Sequence, residues 1–338
     1  MEIKILQPND FHHHLRDKEL LHFNVKHCFN KFRNVIVMPN LIPPIITIHQ
    51  ALNYRKRINK YNTKNGNPLM TLYLNENINI EDIRKFKHHP EMIGIKYYPK
   101  NVTTNSQNGI NNIKNIFFIL KIMEEEDIPL LIHGETNNSK IDIFKKEEYF
   151  IKNELLIIIK NFPKLRIVLE HISTKIAVNF VLKYNNIYAT ITPHHLVLDR
   201  NDIFYRGIHP HLYCLPILKK KEDKICLIKA ATSGNSKFFL GTDNAPHLEK
   251  DKISSCGCAG IFNSPVAIEI ITELFDKNNS LHNLEKFIST NGCDFYKIPY
   301  NKKYICLKKE DWIVPNRYGN LIPLYNGKKI KWKIINFS

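Results

Sequence analysis

The sequence lacks the features that would place it in several large classes. No run of about eighteen consecutive apolar residues occurs, so no transmembrane helix and no membrane partner are expected. The first ten residues are polar and hold no cleavable apolar segment, so a cytoplasmic protein without a secretory leader is expected. The seven cysteines are odd in number and form no paired framework, so reduced thiols are expected instead of disulfides. No internal repeat or low-complexity linker interrupts the 338 residues. Acidic residues are comparatively few, 32 Asp+Glu against 49 Lys+Arg, for a formal net charge of +17. The lysines are nevertheless dispersed, with no dense basic block, RNA-binding signature or zinc-finger spacing. A nucleic-acid-binding protein with structural zinc is therefore disfavoured, and the charge at most helps to draw in an anionic substrate.

What is present is an alternation. Hydrophobic residues make up 43% of the chain, ample for a large core. Short apolar runs at 34–40, 69–74, 92–98, 129–135, 166–171, 187–192 and 237–243 read as strands buried on both faces, the mark of a parallel sheet. Helices are expected at 19–32, 48–61, 80–89, 110–126, 145–161, 174–184, 218–232 and 265–275, with Thr47 a good N-cap for the second. Counting the segment that leads into His14 as a strand gives eight strand–helix pairs. That number argues for a closed (β/α)8 TIM barrel in the α/β class. The chain reads as a single domain, with the barrel over about 1–278. A C-terminal extension over about 279–338 holds one helix (281–290) and short strands at 304–307 and 329–333.

The informative residues are polar ones lodged at the ends of apolar strands. His12 and His14 are separated by one residue, so on a strand they share a face while His13 points away. Two imidazoles so placed can share a metal, and Arg16 beside them can hold an anion. His133, His171, Asn40 and Asp243 end other strands. Each alone has an ordinary explanation, a hydrogen-bonded core histidine or a helix N-cap. Lys96 in Ile-Gly-Ile-Lys-Tyr-Tyr is harder to explain that way, since burying an ammonium is costly. All these strand ends meet at one mouth in a barrel. Four imidazoles and one carboxylate suit two catalytic ions better than one, and two ions need a bridging anion that a free lysine cannot supply.

Several stretches extend this pattern: Phe-His-His-His-Leu-Arg-Asp (11–17), Val-Met-Pro-Asn-Leu (37–41), Lys-Tyr-Tyr-Pro-Lys-Asn-Val-Thr-Thr-Asn-Ser (96–106), Ile-His-Gly-Glu (132–135) and Glu-His-Ile-Ser-Thr-Lys (170–175). Pro-His-Leu-Tyr-Cys-Leu-Pro-Ile-Leu-Lys (210–219), Gly-Thr-Asp-Asn-Ala-Pro-His (241–247) and Ser-Ser-Cys-Gly-Cys-Ala-Gly (254–260) follow. Through them the chain resembles the bacterial-type, class II dihydroorotases of the amidohydrolase superfamily over nearly its whole length. The resemblance implies a hydrolase of pyrimidine biosynthesis that interconverts (S)-dihydroorotate and N-carbamoyl-L-aspartate. It implies two Zn2+ per subunit: a more buried one on His12, His14 and Asp243, and a more exposed one on His133 and His171. Lys96, N-carboxylated by CO2, would bridge both. Asp243 would take a proton from the attacking water and pass it to the departing amide nitrogen. Arg16, Asn40 and His247 would clamp the substrate carboxylate. Backbone groups of Leu215 and Ala259 would hold the ring amide, and Thr103 and Thr104 would belong to a mobile loop that closes over it. A homodimer is implied as well.

Departures from the family pattern are small. His13 stands where other residues are common, and His209 is an added histidine read as a loop residue. Cys256 and Cys258 lie in a family loop where backbone, not thiols, meets substrate. A hydantoinase- or allantoinase-like cyclic amidase is the nearest alternative. Those relatives are longer by a β-sandwich, and the carboxylate clamp argues against them.

Overall fold

The computed structural model describes residues 1–337. Eleven strands fall into two sheets. β1 (Glu2–Leu6), β10 (Tyr304–Ile313) and β11 (Lys329–Phe337) make a small antiparallel sheet in the order β1-β10-β11. The others form one parallel sheet in chain order: β2 (Asp10–His13), β3 (Asn34–Val37), β4 (Asn67–Tyr73), β5 (Met92–Tyr97), β6 (Leu130–His133), β7 (Ile167–Glu170), β8 (Ile187–Ile191) and β9 (Phe238–Leu240). The seam is joined just beyond β9, where Asp243 N donates to His12 O at 2.9 Å and His14 N to Asn244 O at 3.0 Å. Helices lie between the strands, so the TIM barrel expected from the alternation is the observed fold.

Each barrel strand carries two populations of side chains. Val35, Val37, Ile95, Tyr97, Leu130, Ile132, Ile167 and Leu169 pack in the main core shared with the helices. Ile36, Leu69, Leu131, Val168 and Phe239 join Phe11 in a separate cluster inside the barrel. This is the two-residue period of a strand expressed as a packed interior and a helix-facing exterior. Above the inner apolar cluster, the next inward residues are His133 after Leu131 and Glu170 after Val168. The interior therefore turns polar at the carboxyl ends of its strands. Gly241 makes room there, since a Cβ on it would stand 2.8 Å from the Cβ atoms of both His12 and Thr190.

Several local expectations need correction. The segment 281–290 is not one helix. A 3-10 turn (Leu281–Asn283) and a π-turn (Lys286–Thr290) lead into a helix at Asn291–Tyr296, whose Phe295 and Tyr296 close the floor of the barrel. The helix expected from 110 starts as a 3-10 turn at Ile113, because Ile110 is held in a ladder: its N donates to Tyr98 O and its O accepts from Lys100 N, each at 2.9 Å. The helix expected from 218 starts at Lys221, and the long approach holds two short helices, Pro193–Val197 and Arg200–Phe204, N-capped by Thr192 and Asp199. The terminal strands also run longer than expected, and β1 is a strand apart from β2. It pairs with β10 in register Ile3↔Leu307 and Ile5↔Ile305, and Ile5, Ile305, Leu307 and Trp332 fuse this sheet to the main core. Among the described residues, no helix is long and apolar enough to cross a membrane.

Candidate metal centre and anion pocket

One small pocket opens at the carboxyl ends of the strands. Its lining includes His12, His14, His133, His171 and Asp243, then Arg16, Asn40, Thr103, Thr104, Leu215 and Ala259. The fold thus collects residues spread over nearly 250 positions. Two singled-out residues are near but not on its surface. Lys96 lies fully buried, and His247 stands behind Arg16.

His12 and His14 leave β2 on the same side, their Nε2 atoms 3.3 Å apart. Asp243 Oδ1 lies 3.1 Å from His14 Nε2 and 3.4 Å from His12 Nε2. One donor atom from each of the three lies within 4.8 Å of the others. The His171 ring stacks edge-on at 5.0 Å from His12 and 4.7 Å from His133. The two histidine sets are buried alike: His133 and His171 are 1% and 2% exposed, His12 and His14 1% and 8%. His171 and Asp243 adopt φ of 41° and 46°. Such left-handed geometry is uncommon in non-glycine residues and concentrates at functional sites.

The electrostatics suit cation binding. Burial lowers His14 to about 3 and holds His171 well below its ordinary value. Burial lowers His133 as well. These three imidazoles are held neutral and keep the lone pair a metal needs, whereas His12 is raised despite its burial, by the carboxylates of Glu170 and Asp243. Burial alone would raise Asp243, but hydrogen bonds from His12 and His14 keep it well below the usual carboxylate range. His171 Nδ1 and Lys96 Nζ are buried without any hydrogen-bond partner among the described residues. Buried polar atoms are rarely left so, and a bound ion is one standard explanation. Burial also lowers the Lys96 amine to about 8, against the opposing pull of Glu170 and Asp243. A lysine in that range yields a nucleophilic free amine far more readily than an ordinary one. The donor set therefore fits metal ions.

Sequence reasoning named the histidines but not the groups that hold them. Glu170 Oε2 lies 2.9 Å from His12 Nδ1 and accepts from Thr190 Oγ1 at 2.6 Å. Glu135 Oε2 lies 2.9 Å from His133 Nε2. Carboxylates behind metal-ligating histidines fix the tautomer and raise basicity. A visible signal existed for Glu135, two residues beyond His133, but none for Glu170, which adjoins His171 in sequence and yet holds His12. His13 turns away, as its place in the strand requires. Its Nδ1 lies 2.7 Å from Asp10 Oδ2, and Asp10 Oδ1 and Oδ2 accept from Thr242 N and Oγ1 at 2.8 and 2.5 Å. That network braces the seam between β2 and β9.

Around the anion pocket, Arg16 Nη2 lies 2.9 Å from His247 Nε2, which is also 3.0 Å from Ala259 O. A single ring nitrogen cannot accept from the guanidinium and donate to the carbonyl at once. An anion that takes up Arg16 would release His247 Nε2 to donate. Asn40 Nδ2 donates to Thr104 O at 3.0 Å, and Thr104 Oγ1 to Ala259 O at 3.3 Å. The 98–110 loop is thereby folded over the pocket. His209 is exposed, and its Nε2 lies 2.8 Å from Tyr205 O. Cys256 and Cys258 are free thiols. A second buried donor group, His194, His195 and Cys214, lies off the pocket. Both ring nitrogens of His195 are taken, by Thr192 Oγ1 at 2.8 Å and Pro216 O at 3.0 Å.

No family model matches the chain. It is 47% identical over 340 residues to a dihydroorotase from Coxiella burnetii, covering 98% of each chain. Among solved structures, a dihydroorotase from Campylobacter jejuni superposes with a TM-score of 0.89 at 36% identity, covering 99% of this chain and 98% of that one. A dihydroorotase from Saccharomyces cerevisiae, solved in complex with 5-fluoroorotic acid, superposes with a TM-score of 0.92 at 31% identity, with the same coverage. Identity of this order, sustained over almost the full length of both chains, means that this protein belongs to the dihydroorotase family of metal-dependent cyclic amidohydrolases.

Proposed function

We propose that the chain catalyses the reversible interconversion of (S)-dihydroorotate and N-carbamoyl-L-aspartate, the third step of de novo pyrimidine synthesis, as a cytoplasmic homodimer. On this reading it is one catalytic domain, barrel 1–278 with extension 279–338. The observation that carries the proposal is the buried Lys96 amine, left without a partner at the end of a strand next to the one that bears His133. The amine would add to CO2 and lose a proton, giving a carbamate: an anion where an ammonium would be costly.

Two zinc ions would be held by His12, His14 and Asp243 and by His133 and His171, with the Lys96 carbamate shared between them. When bound they would polarise the ring carbonyl and acidify the attacking water. The chain's own groups do the rest. The water oxygen bonds to the ring carbonyl carbon, and the carbon–nitrogen bond of the ring breaks. Asp243 receives one water proton and delivers it to the departing nitrogen. Arg16 with Asn40 and His247 would take the substrate carboxylate, and Leu215 and Ala259 the ring amide. Thr103 and Thr104, on the loop over the pocket, would exclude water.

Dihydroorotate and hydantoin offered to the purified protein discriminate the substrate: turnover of the first and not the second is expected, together with about two zinc ions per chain. Efficient hydantoin turnover would overturn the assignment. The clamp has its own test. Arg16→Met removes the bidentate cation and is expected to raise KM for dihydroorotate by about a hundredfold, the worth of a lost charge-assisted pair. Zinc content should be unchanged, and loss of zinc in this variant would contradict a role for Arg16 in substrate binding.

A further inference from the structure

Lys252 is a buried lysine, 3% exposed, with no carboxylate partner among the described residues. Its Nζ donates to three backbone carbonyls, Tyr213 O at 2.9 Å, Cys258 O at 2.7 Å and Gly260 O at 2.8 Å. These belong to two separate segments that both line the pocket, one through Leu215 and the other through Ala259 and Gly260. The segments also meet directly, Gly260 N donating to Tyr213 O at 3.0 Å. One ammonium thus spends all three of its protons on tying two pocket walls together.

The consequence for Ala259 follows from peptide geometry. The Cys258 carbonyl and the Ala259 N–H belong to one planar trans unit, so they point in opposite directions. With the carbonyl fixed on Lys252, the Ala259 N–H is aimed away from Lys252, and it has no acceptor among the hydrogen bonds of the described residues. The carbonyl of Ala259 is held separately, accepting from Thr104 Oγ1 at 3.3 Å, with His247 Nε2 3.0 Å away. A cation on the carbonyl side also strengthens the same peptide as a donor, because hydrogen bonds in a chain polarise one another. Gly260 completes the wall at φ 147°, where a Cβ would stand 2.2 Å from Ala245 O, so the segment passes too close to Ala245 for any side chain.

We infer that Lys252 is a positioning residue for substrate recognition: its ammonium fixes the Cys258–Ala259 peptide and the 213–215 segment so that their backbone groups face the ring of the bound substrate. This rests on the dihydroorotate reading for the identity of the ring, while the strap itself is independent of it. Lys252→Met, which keeps the aliphatic stem but no donor, is expected to raise KM for dihydroorotate about tenfold or more with kcat within about threefold, the pattern of lost uniform binding. Zinc content should stay at the wild-type level. Amide hydrogen exchange should accelerate in 254–260 and not in the barrel strands, a readout that needs no activity. Lys252→Arg, which retains charge and donors, should recover most of the affinity, and serves as the test should the Met variant fail to fold. Unchanged KM and unchanged exchange in a folded Lys252→Met protein would overturn the inference. If the wild-type protein did not turn over dihydroorotate at all, the functional reading would fail, and the exchange result would still decide the strap.

Discussion

Lys96→Ala is expected to lower turnover of dihydroorotate by about a thousandfold or more and to leave the protein short of metal, because several kcal/mol of charge stabilisation depend on both ions being held. The change removes a fully buried side chain whose amine has no hydrogen-bond partner among the described residues. Folding should therefore survive: no hydrogen bond is lost, and the desolvation of an amine is relieved. That separates a chemical role from a structural one. A lysine kept only for packing would cost stability on truncation and leave kcat alone. Kinetics and metal analysis on the variant, beside a thermal melt, decide between the two. Growth of the wild-type cells on isotopically labelled bicarbonate should place label on Lys96. Retention of full turnover and metal content by the alanine variant would defeat the two-metal model.

The second large effect is expected at Asp243. Asp243→Asn keeps the shape of the side chain, and asparagine tolerates the left-handed backbone at φ 46° better than most residues. The seam bond from Asp243 N to His12 O is a backbone contact and is preserved. What disappears is the anion that sits between His12 and His14 and the only group proposed to carry the proton to the leaving nitrogen. General acid–base groups contribute about a hundred- to ten-thousandfold, so kcat should fall by about a thousandfold while KM changes little. The fall should persist when zinc is supplied in excess; full rescue by added zinc would reduce Asp243 to a ligand and remove the proton-transfer role. Activity within tenfold of wild type would sink both.

The strand–helix alternation, and with it the barrel, is legible in the local sequence. Apolar runs ending in Pro99, in Gly134 or at Pro39-Asn40 mark where strands stop, and the histidines, the lysine and the aspartate fall at those stops. Strand ends are local, so a lone sequence can place them. It could not say which face of a strand looks inward, because strands buried on both faces carry no alternation of polarity. Closure of the barrel decided that, putting Leu131 inside with His133 above it and sending Leu130 and Ile132 to the helices.

Partners distant in the chain were equally invisible. Glu170 behind His12, Asp10 beneath Thr242, and Lys252 across two pocket walls are pairings set by packing, and no spacing encodes them. The terminal regions were the least legible. β1 leaves the barrel for β10, some three hundred residues away, and the 291–296 helix plugs the barrel floor with Phe295 and Tyr296. Both placements arise from apolar surface that only the assembled barrel exposes. Periodicity and strand ends are fixed by local chemistry, whereas inward facing, second partners and terminal docking are fixed by what closure brings within reach.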